Sequence, residues 1–191
     1  KKSQTLNAIN GIKNVIDKYN VKTIFDAPCG DFNWIGQLLI DSELSKKQHL
    51  NYIGGDIVND LILELKKKYT KKNLNFKKFD IVHDIFPEAD LFICRDCLIH
   101  FSNNDIKKTI KNFLKSEIKY ILVTESIVDV NFENFDIKTG EFRKLDLTKK
   151  PFNFPQKNLF QFNDVFNNQE NAYETKMTLW SRDQLKNILL I

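Results

Sequence analysis

Four aspartates and one glycine carry the first chemical signal in this sequence of 191 residues. Asp26, Asp56 and Asp80 each close a short apolar run, and Gly30 and Asp31 follow the first of them. A carboxylate accepts hydrogen bonds and attracts cations. One such residue reads as a strand-end cap. Three at successive strand ends, with a glycine in the first turn, read as a set facing one ligand at the carboxyl edge of a sheet. The acid that ends the second strand, Asp56, is placed to accept from ribose hydroxyls, as in dinucleotide sites and equally in sites for S-adenosylmethionine (SAM). The first turn separates the two. Pyrophosphate needs a glycine-rich turn and a free helix N-terminus. The run Asp26-Ala27-Pro28-Cys29-Gly30-Asp31 offers one glycine and two acids. Those carboxylates repel pyrophosphate and favour the ammonium and sulfonium of SAM. Asp80 can then accept from the adenine amino group, and the Ile81 amide can donate to the ring.

The elements that must position these residues are legible as alternating patterns up to residue 126. Leu6, Ile9, Ile12, Val15, Ile16 and Tyr19 keep helical spacing. Residues 21–26, 51–56, 76–80, 90–95 and 120–126 read as five strands. Gly54-Gly55 in the second allows close backbone approach. Helical runs intervene at Trp34 to Leu39, at Val58 to Tyr69, and after Ser102, whose run to Asp105 reads as a capping box. Short strand–helix alternation implies a parallel, doubly wound sheet covered on both faces. From residue 129 to 169 the pattern becomes polar, aromatic and Pro-bearing, a length that inside a compact domain is usually functional. Its phenylalanines read as a loop core rather than a stacking platform. A last strand over 172–180 and a helix opening at Ser181 complete a single expected domain over 1–191.

The fourth strand end, Cys94-Arg95-Asp96-Cys97-Leu98-Ile99-His100, holds further candidates. Cys94, Cys97, His100 and Cys29 together are a possible zinc set. A cysteine inside a buried strand packs as a small hydrophobe, so no metal is expected. A redox pair is disfavoured because the spacing does not open a helix. His100 either packs before the next helix or serves as a general base. Arg143 is either a surface loop residue or an anion-binding one.

Composition narrows the class. The net charge of +4 comes from scattered lysines. Lys66-Lys67-Lys68 and Lys71-Lys72 read as a solvated helix end and turn, not a nucleic-acid patch. No apolar run reaches the roughly 18 residues of a membrane span. Three cysteines without a framework suggest a reducing compartment, and a cytoplasmic location is expected. The sequence opens at Lys1 rather than Met and says nothing of what precedes it.

The run Ile24-Phe25-Asp26-Ala27-Pro28-Cys29-Gly30 resembles the first motif of class I SAM-dependent methyltransferases. Asp56 and Asp80 match that family's ribose and adenine positions, and residues 89–101 match its fourth strand and following turn. Pro28 and Phe32 stand where the family carries flanking glycines. The resemblance covers residues 20–126. It implies an α/β fold: a Rossmann-like, doubly wound, mixed seven-stranded sheet with the final strand antiparallel and a substrate-covering insertion after the fifth strand. It implies SAM as cofactor, held by Asp26, Cys29, Gly30, Asp56, Asp80, Ile81 and Arg95. It places Asp31, Trp34 and Arg143 on the acceptor side, with His100 or Asp96 taking a proton.

A narrower likeness joins residues 26–34 to Asn134-Phe135-Asp136-Ile137-Lys138-Thr139-Gly140-Glu141-Phe142-Arg143 and Pro151-Phe152-Asn153-Phe154-Pro155. It is similar to a bacterial branch linked to capsule biogenesis, some of whose members are assigned to O-methylation of a phosphoramidate. This implies a small-molecule, nucleotide-linked or carbohydrate acceptor. DNA amino-methylation is disfavoured, because Arg95-Asp96-Cys97-Leu98 replaces the Asn/Asp-Pro-Pro-aromatic turn. An NAD-dependent oxidoreductase and a non-catalytic SAM-binding partner protein remain the alternatives.

Overall fold

The computed structural model describes residues 2–40, 50–165 and 174–188. Helix α1 (Lys2–Tyr19) leads into β1 (Thr23–Asp26), α2 (Asn33–Ile40) and β2 (Asn51–Asp56). Then come α3 (Asn59–Lys68), β3 (Leu74–Lys78), β4 (Leu91–Cys94), a 3-10 turn (Leu98–His100), α4 (Asn103–Lys115) and β5 (Tyr120–Ser126). Strands β6 (Phe160–Val165) and β7 (Thr175–Ser181) and the short α5 (Arg182–Leu185) follow. One seven-stranded sheet results, in the order β3-β2-β1-β4-β5-β7-β6. Strands β1 to β5 pair in parallel, and β7 runs antiparallel between β5 and β6. This is the expected mixed doubly wound sheet with its final strand antiparallel.

Period-two alternation divides the core into two layers. Ile24, Leu91, Ile93 and Leu122 face one layer, with Ile12 and Val15 of α1, Ile35 and Leu38 of α2, and Ile62 and Leu65 of α3. Phe25, Phe92, Ile121 and Val123 face the other, with Ile106, Ile110 and Phe113 of α4 and Leu185 of α5. Leu145, Leu147, Phe152 and Phe154 join this second layer from the irregular segment. Each such side chain contributes about 1.5–3 kcal/mol by leaving water. Phe152 and Phe154 are therefore loop core as expected, whereas Phe135 and Phe142 are exposed.

Caps fix the helix ends. The Ser102 hydroxyl accepts from the Asp105 amide at 3.2 Å. Asp105 does not complete a box, because its carboxylate takes the Thr139 hydroxyl at 2.6 Å. Ser181 and Gln184 do form a reciprocal box. Lys66, Lys67 and Lys68 occupy the last turn of α3, where cations suit the helix dipole. Among the described residues, no helix is long and apolar enough to cross a membrane.

Three expectations change. The third strand ends at Lys78, so Asp80 lies in a turn two residues beyond it. The final strand begins at Thr175, and residues 172–173 lie outside the described ones. The segment from 129 is not without regular structure, because it contains β6; residues 166–169 lie outside the described ones. Phe160, Phe162 and Asp164 alternate with more exposed Gln161 and Asn163. Phe162 presses on α1 at Gly11, where a built Cβ would stand 2.5 Å from its ring.

Gly54 and Gly55 let β2 sit tightly between β3 and β1. A Cβ at Gly55 would lie 2.9 Å from the Phe79 Cβ and 3.1 Å from the Phe25 ring. We predict that Gly55→Ala costs about 1–3 kcal/mol. The check is urea unfolding, with a lower midpoint and an unchanged slope; a wild-type midpoint would show that β2 is not closely approached there.

Candidate ligand-binding site

The carboxyl ends of β1 to β4 meet at one edge, and a single carboxylate joins the first two. Asp56 Oδ2 accepts from the Gly30 amide at 3.1 Å. Its Oδ1 accepts from the Val58 amide at 3.0 Å. The Cys29 amide donates to the Gly55 carbonyl at 2.8 Å. Gly30 adopts φ 53°, and a side chain built there would meet nothing within 4 Å. Phe32 also has positive φ, 60°, and its ring is buried against Tyr52 and Phe76. The turn thus bends back to pack Phe32 while leaving Gly30 open.

Asp26 sits behind this turn, fully buried. Tyr52 donates its hydroxyl to Asp26 Oδ2 at 2.7 Å, and Oδ1 has no partner. Burial pushes the Asp26 carboxyl up to about 7, against the Tyr52 bond and the Arg95 charge, which pull it down.

A cavity of about 490 Å³ opens beside the turn. Its wall includes Pro28 and Ile57, chain neighbours of the Cys29–Gly30 turn and of Asp56, together with Asp80, Ile81, Asp96 and His100. The Asp80 Oδ1 accepts from the Val82 amide at 2.8 Å, and its Oδ2 lies 2.9 Å from His83 Nδ1. Burial works against ionisation of Asp80, but these bonds outweigh it and hold the carboxyl below its ordinary value. His100 Nδ1 lies 2.9 Å from the Glu141 carbonyl. A carbonyl only accepts, so Nδ1 carries a proton, and in the neutral ring the lone pair is on Nε2. Asp96 has φ 51° and, among the described residues, receives no side-chain donor closer than Arg95 Nη1 at 3.5 Å.

Other expected residues stand elsewhere. Arg95 turns its guanidinium to Asp164, with Nε at 2.8 Å and Nη2 at 3.2 Å, and lies 4.9 Å over the Trp34 ring. Arg95 was expected among the cofactor-binding residues; its guanidinium is engaged by a buried carboxylate on β6. Burial opposes the Arg95 charge, and Asp164 and Asp96 outweigh it, holding the guanidinium above its usual value. Asp31 is exposed and holds Asn33 through its amide at 3.0 Å and Nδ2 at 2.6 Å. Neither Asp31 nor Trp34 lines the cavity.

Arg143 was expected on the acceptor side, pointing inward. It is 1% exposed and does not point into the cavity. Nη2 donates to the Phe101 carbonyl at 3.0 Å, and Nη1 to Asn103 Oδ1 at 2.6 Å and to the Phe135 carbonyl. Two backbone carbonyls and the Asn103 side-chain oxygen take donors from both Nη atoms, while Nε is buried without a partner among the described residues. Of the segment expected to build most of an acceptor pocket, Thr139 alone lines the cavity among the described residues. The cysteines divide between layers: Cys29 in the first, Cys94 and Cys97 in the second. Among the described residues no three His, Cys, Asp or Glu side chains converge as a metal set.

Asp164 and Tyr52 escaped the sequence reading. Asp164 had a signal, its even spacing from Phe160 and Phe162. Tyr52 lies two residues before Gly54 on the same face and had none beyond that parity.

No protein-family model matches the chain, and no curated protein does. Solved structures do. A SAM-dependent methyltransferase from Leishmania major aligns with TM-score 0.66 and 16% identity over 92% of this chain and 72% of its own. Magnesium protoporphyrin IX methyltransferase from Synechocystis PCC 6803, solved with bound SAH, gives 0.62 and 12% over 94% and 84%. Human N-acetylserotonin methyltransferase, solved with SAM, gives 0.57 and 15% over 94% of this chain. The present chain spans 56% of that human protein's length. These likenesses establish the class I methyltransferase fold.

The Asp26 environment sets a pH dependence. Its native value near 7 exceeds the ordinary 3.8, so between about pH 4 and 7 the native state keeps a proton that the unfolded state loses. Stability then falls as pH rises through that window, by on the order of 4 kcal/mol. Asp26→Asn removes this loss while leaving an acceptor for Tyr52. We expect the ligand-free variant to gain on wild type between pH 5 and pH 8 in urea unfolding. An unchanged difference would mean that Asp26 is already ionised at pH 5.

Proposed function

We propose that this chain is a SAM-dependent methyltransferase acting on a small or carbohydrate-linked acceptor, by O-methyl transfer. The observation that carries the reading is Asp56 bonded to the Gly30 amide, beside a glycine whose absent side chain leaves open space. The residues present fit SAM on this structure's own terms. Asp56 retains lone pairs for ribose hydroxyls after accepting from Gly30 and Val58. Asp80 and Ile81 line the neighbouring cavity, where an adenine amino group finds an acceptor. The unpartnered Asp26 Oδ1 offers an acceptor behind the first turn, and an ammonium placed there would favour the ionised carboxylate. Bound SAM supplies an electrophilic methyl group. The chain aligns the acceptor with it, so much of the rate enhancement is positional. His100, through Nε2, takes the proton from an acceptor hydroxyl, with Asp96 as the second candidate.

The specific acceptor suggested by the sequence likeness is the phosphoramidate oxygen of a capsule modification. That oxygen is anionic at neutral pH, and His100 then orients it rather than deprotonating it. Nucleic acid has no part in this reading, which belongs to a cytoplasmic enzyme. NAD-dependent hydride transfer is disfavoured by the acidic first turn, and by an antiparallel β7 where dinucleotide sheets continue in parallel.

Asp56→Ala should weaken SAM binding at least about tenfold, the loss of one charged hydrogen bond. Calorimetry on the folded variant checks this, and unchanged affinity removes Asp56 from the site. Incubation with labelled SAM and capsule phosphoramidates, nucleotide-linked precursors or free sugars tests the reaction. Tight SAM binding without turnover on any of them favours a non-catalytic binding partner.

A further inference from the structure

Residues 135–143 form neither helix nor strand, yet they are fastened along their length to residues 99–105. The Arg143 amide donates to the Ile99 carbonyl at 3.1 Å, and the Gly140 amide to the His100 carbonyl at 2.8 Å. The Ser102 amide donates to Thr139 Oγ1 at 3.0 Å, and the Asn103 amide to Asp136 Oδ1 at 2.7 Å. The two stretches make a strap across the outer wall of the cavity.

The Arg143 side chain crosses that seam. Its guanidinium bonds Phe101 O and Asn103 Oδ1 on one side and Phe135 O on its own side. A planar fork with donors in several fixed directions can satisfy all three, and a point charge cannot. Two residues before Arg143, the Glu141 carbonyl receives the His100 Nδ1 proton at 2.9 Å. The His100 ring also stands 5.7 Å from the ring of Phe142. Both contacts that orient the imidazole therefore come from residues directly preceding the clamped arginine.

We propose that Arg143 is the positioning residue for His100: by clamping the strap it holds the Glu141 carbonyl against Nδ1 and so leaves Nε2 bare. A free histidine side chain in water prefers its proton on Nε2. The fold imposes the opposite tautomer, the one that can accept a proton at Nε2. The catalytic consequence rests on the methyltransferase reading, but the placement of the proton does not.

The test reads the tautomer directly. Long-range proton–nitrogen spectra of uniformly nitrogen-15-labelled protein, at alkaline pH where imidazole is neutral, separate bare from protonated ring nitrogens. The chain has three histidines, and loss of one signal set in His100→Gln assigns it. In the wild type, Nε2 of His100 should be the bare nitrogen. In Arg143→Lys the ratio of tautomers should shift toward Nε2–H by about tenfold, the effect of losing one hydrogen bond to the ring. Asn103→Ala removes one acceptor of the clamp from a partly exposed position, and should shift the ratio the same way by a smaller factor. It supplies the result if Arg143→Lys does not fold. A folded Arg143→Lys, or failing that an Asn103→Ala, with the wild-type ratio overturns the proposal, as does a wild type with the proton on Nε2. SAM affinity, measured on the same samples, should be unaltered in both variants. A wild type that binds no SAM would sink the methyltransferase reading and leave the tautomer result standing.

Discussion

Parallel pairing of β1 with β2 on one side and β4 on the other is the constraint on which the site depends. Asp26 pairs in register with Gly54 and with Ile93, so the strands reach the same edge within a residue or two of one another. A turn leaving β1 then meets the turns leaving β2 and β4 without further folding. Backbone groups that no longer have a ladder partner at this edge must find one elsewhere. The Gly30 and Val58 amides find the Asp56 carboxylate. The Asp96 amide finds the Thr124 hydroxyl at 2.9 Å. The edge is thus ordered by its own polar groups before any ligand is considered.

A second group of buried charges ties irregular chain to the sheet. Glu125 on β5 accepts from the Leu147 amide at 2.9 Å and from the Thr178 hydroxyl at 2.6 Å, joining the segment after β5 to β7. Asp164 fixes β6 to the end of β4 through Arg95. Arg143 joins the strap to the turn after β4. Removing one partner from such pairs strands a buried charge or a row of carbonyls, which costs far more than the pair itself contributes. These three residues do for the irregular segment what a helix would otherwise do for that face of the sheet.

Much of this was legible in the sequence because short β-branched runs ending in Asp or Cys betray parallel strands. Asp56 could be placed at the end of β2 from spacing alone, whereas Asp80 falls two residues past the end of β3 and His100 in the 3-10 turn after β4. Strand β6 was not legible. It is six residues long, and the adjacent polar residues Asn163 and Asp164 break its alternation, so its pattern competes with that of a loop. Arg143 was read as a ligand-binding cation because a sequence shows a charge and not the carbonyls that will claim it. Which acceptors a loop leaves unpaired is decided by its path, and the path follows from Leu145, Leu147, Phe152 and Phe154 finding the second core layer. The partner of Arg95 was hidden for the same reason, lying 69 residues away on the strand that was missed.

The division of the three buried cysteines between the two core layers has a use of its own. A thiol reagent reaches a buried sulfur when the packing around it opens. Cys29 is shielded under the three-helix face and Cys94 under α4 and the irregular segment, whereas Cys97 lines the cavity. Alkylation of Cys29 therefore times the breathing of one face, and alkylation of Cys94 that of its opposite. The sheet between them keeps the two clocks separate, so the native molecule carries its own pair of probes for whether its faces loosen together or in turn.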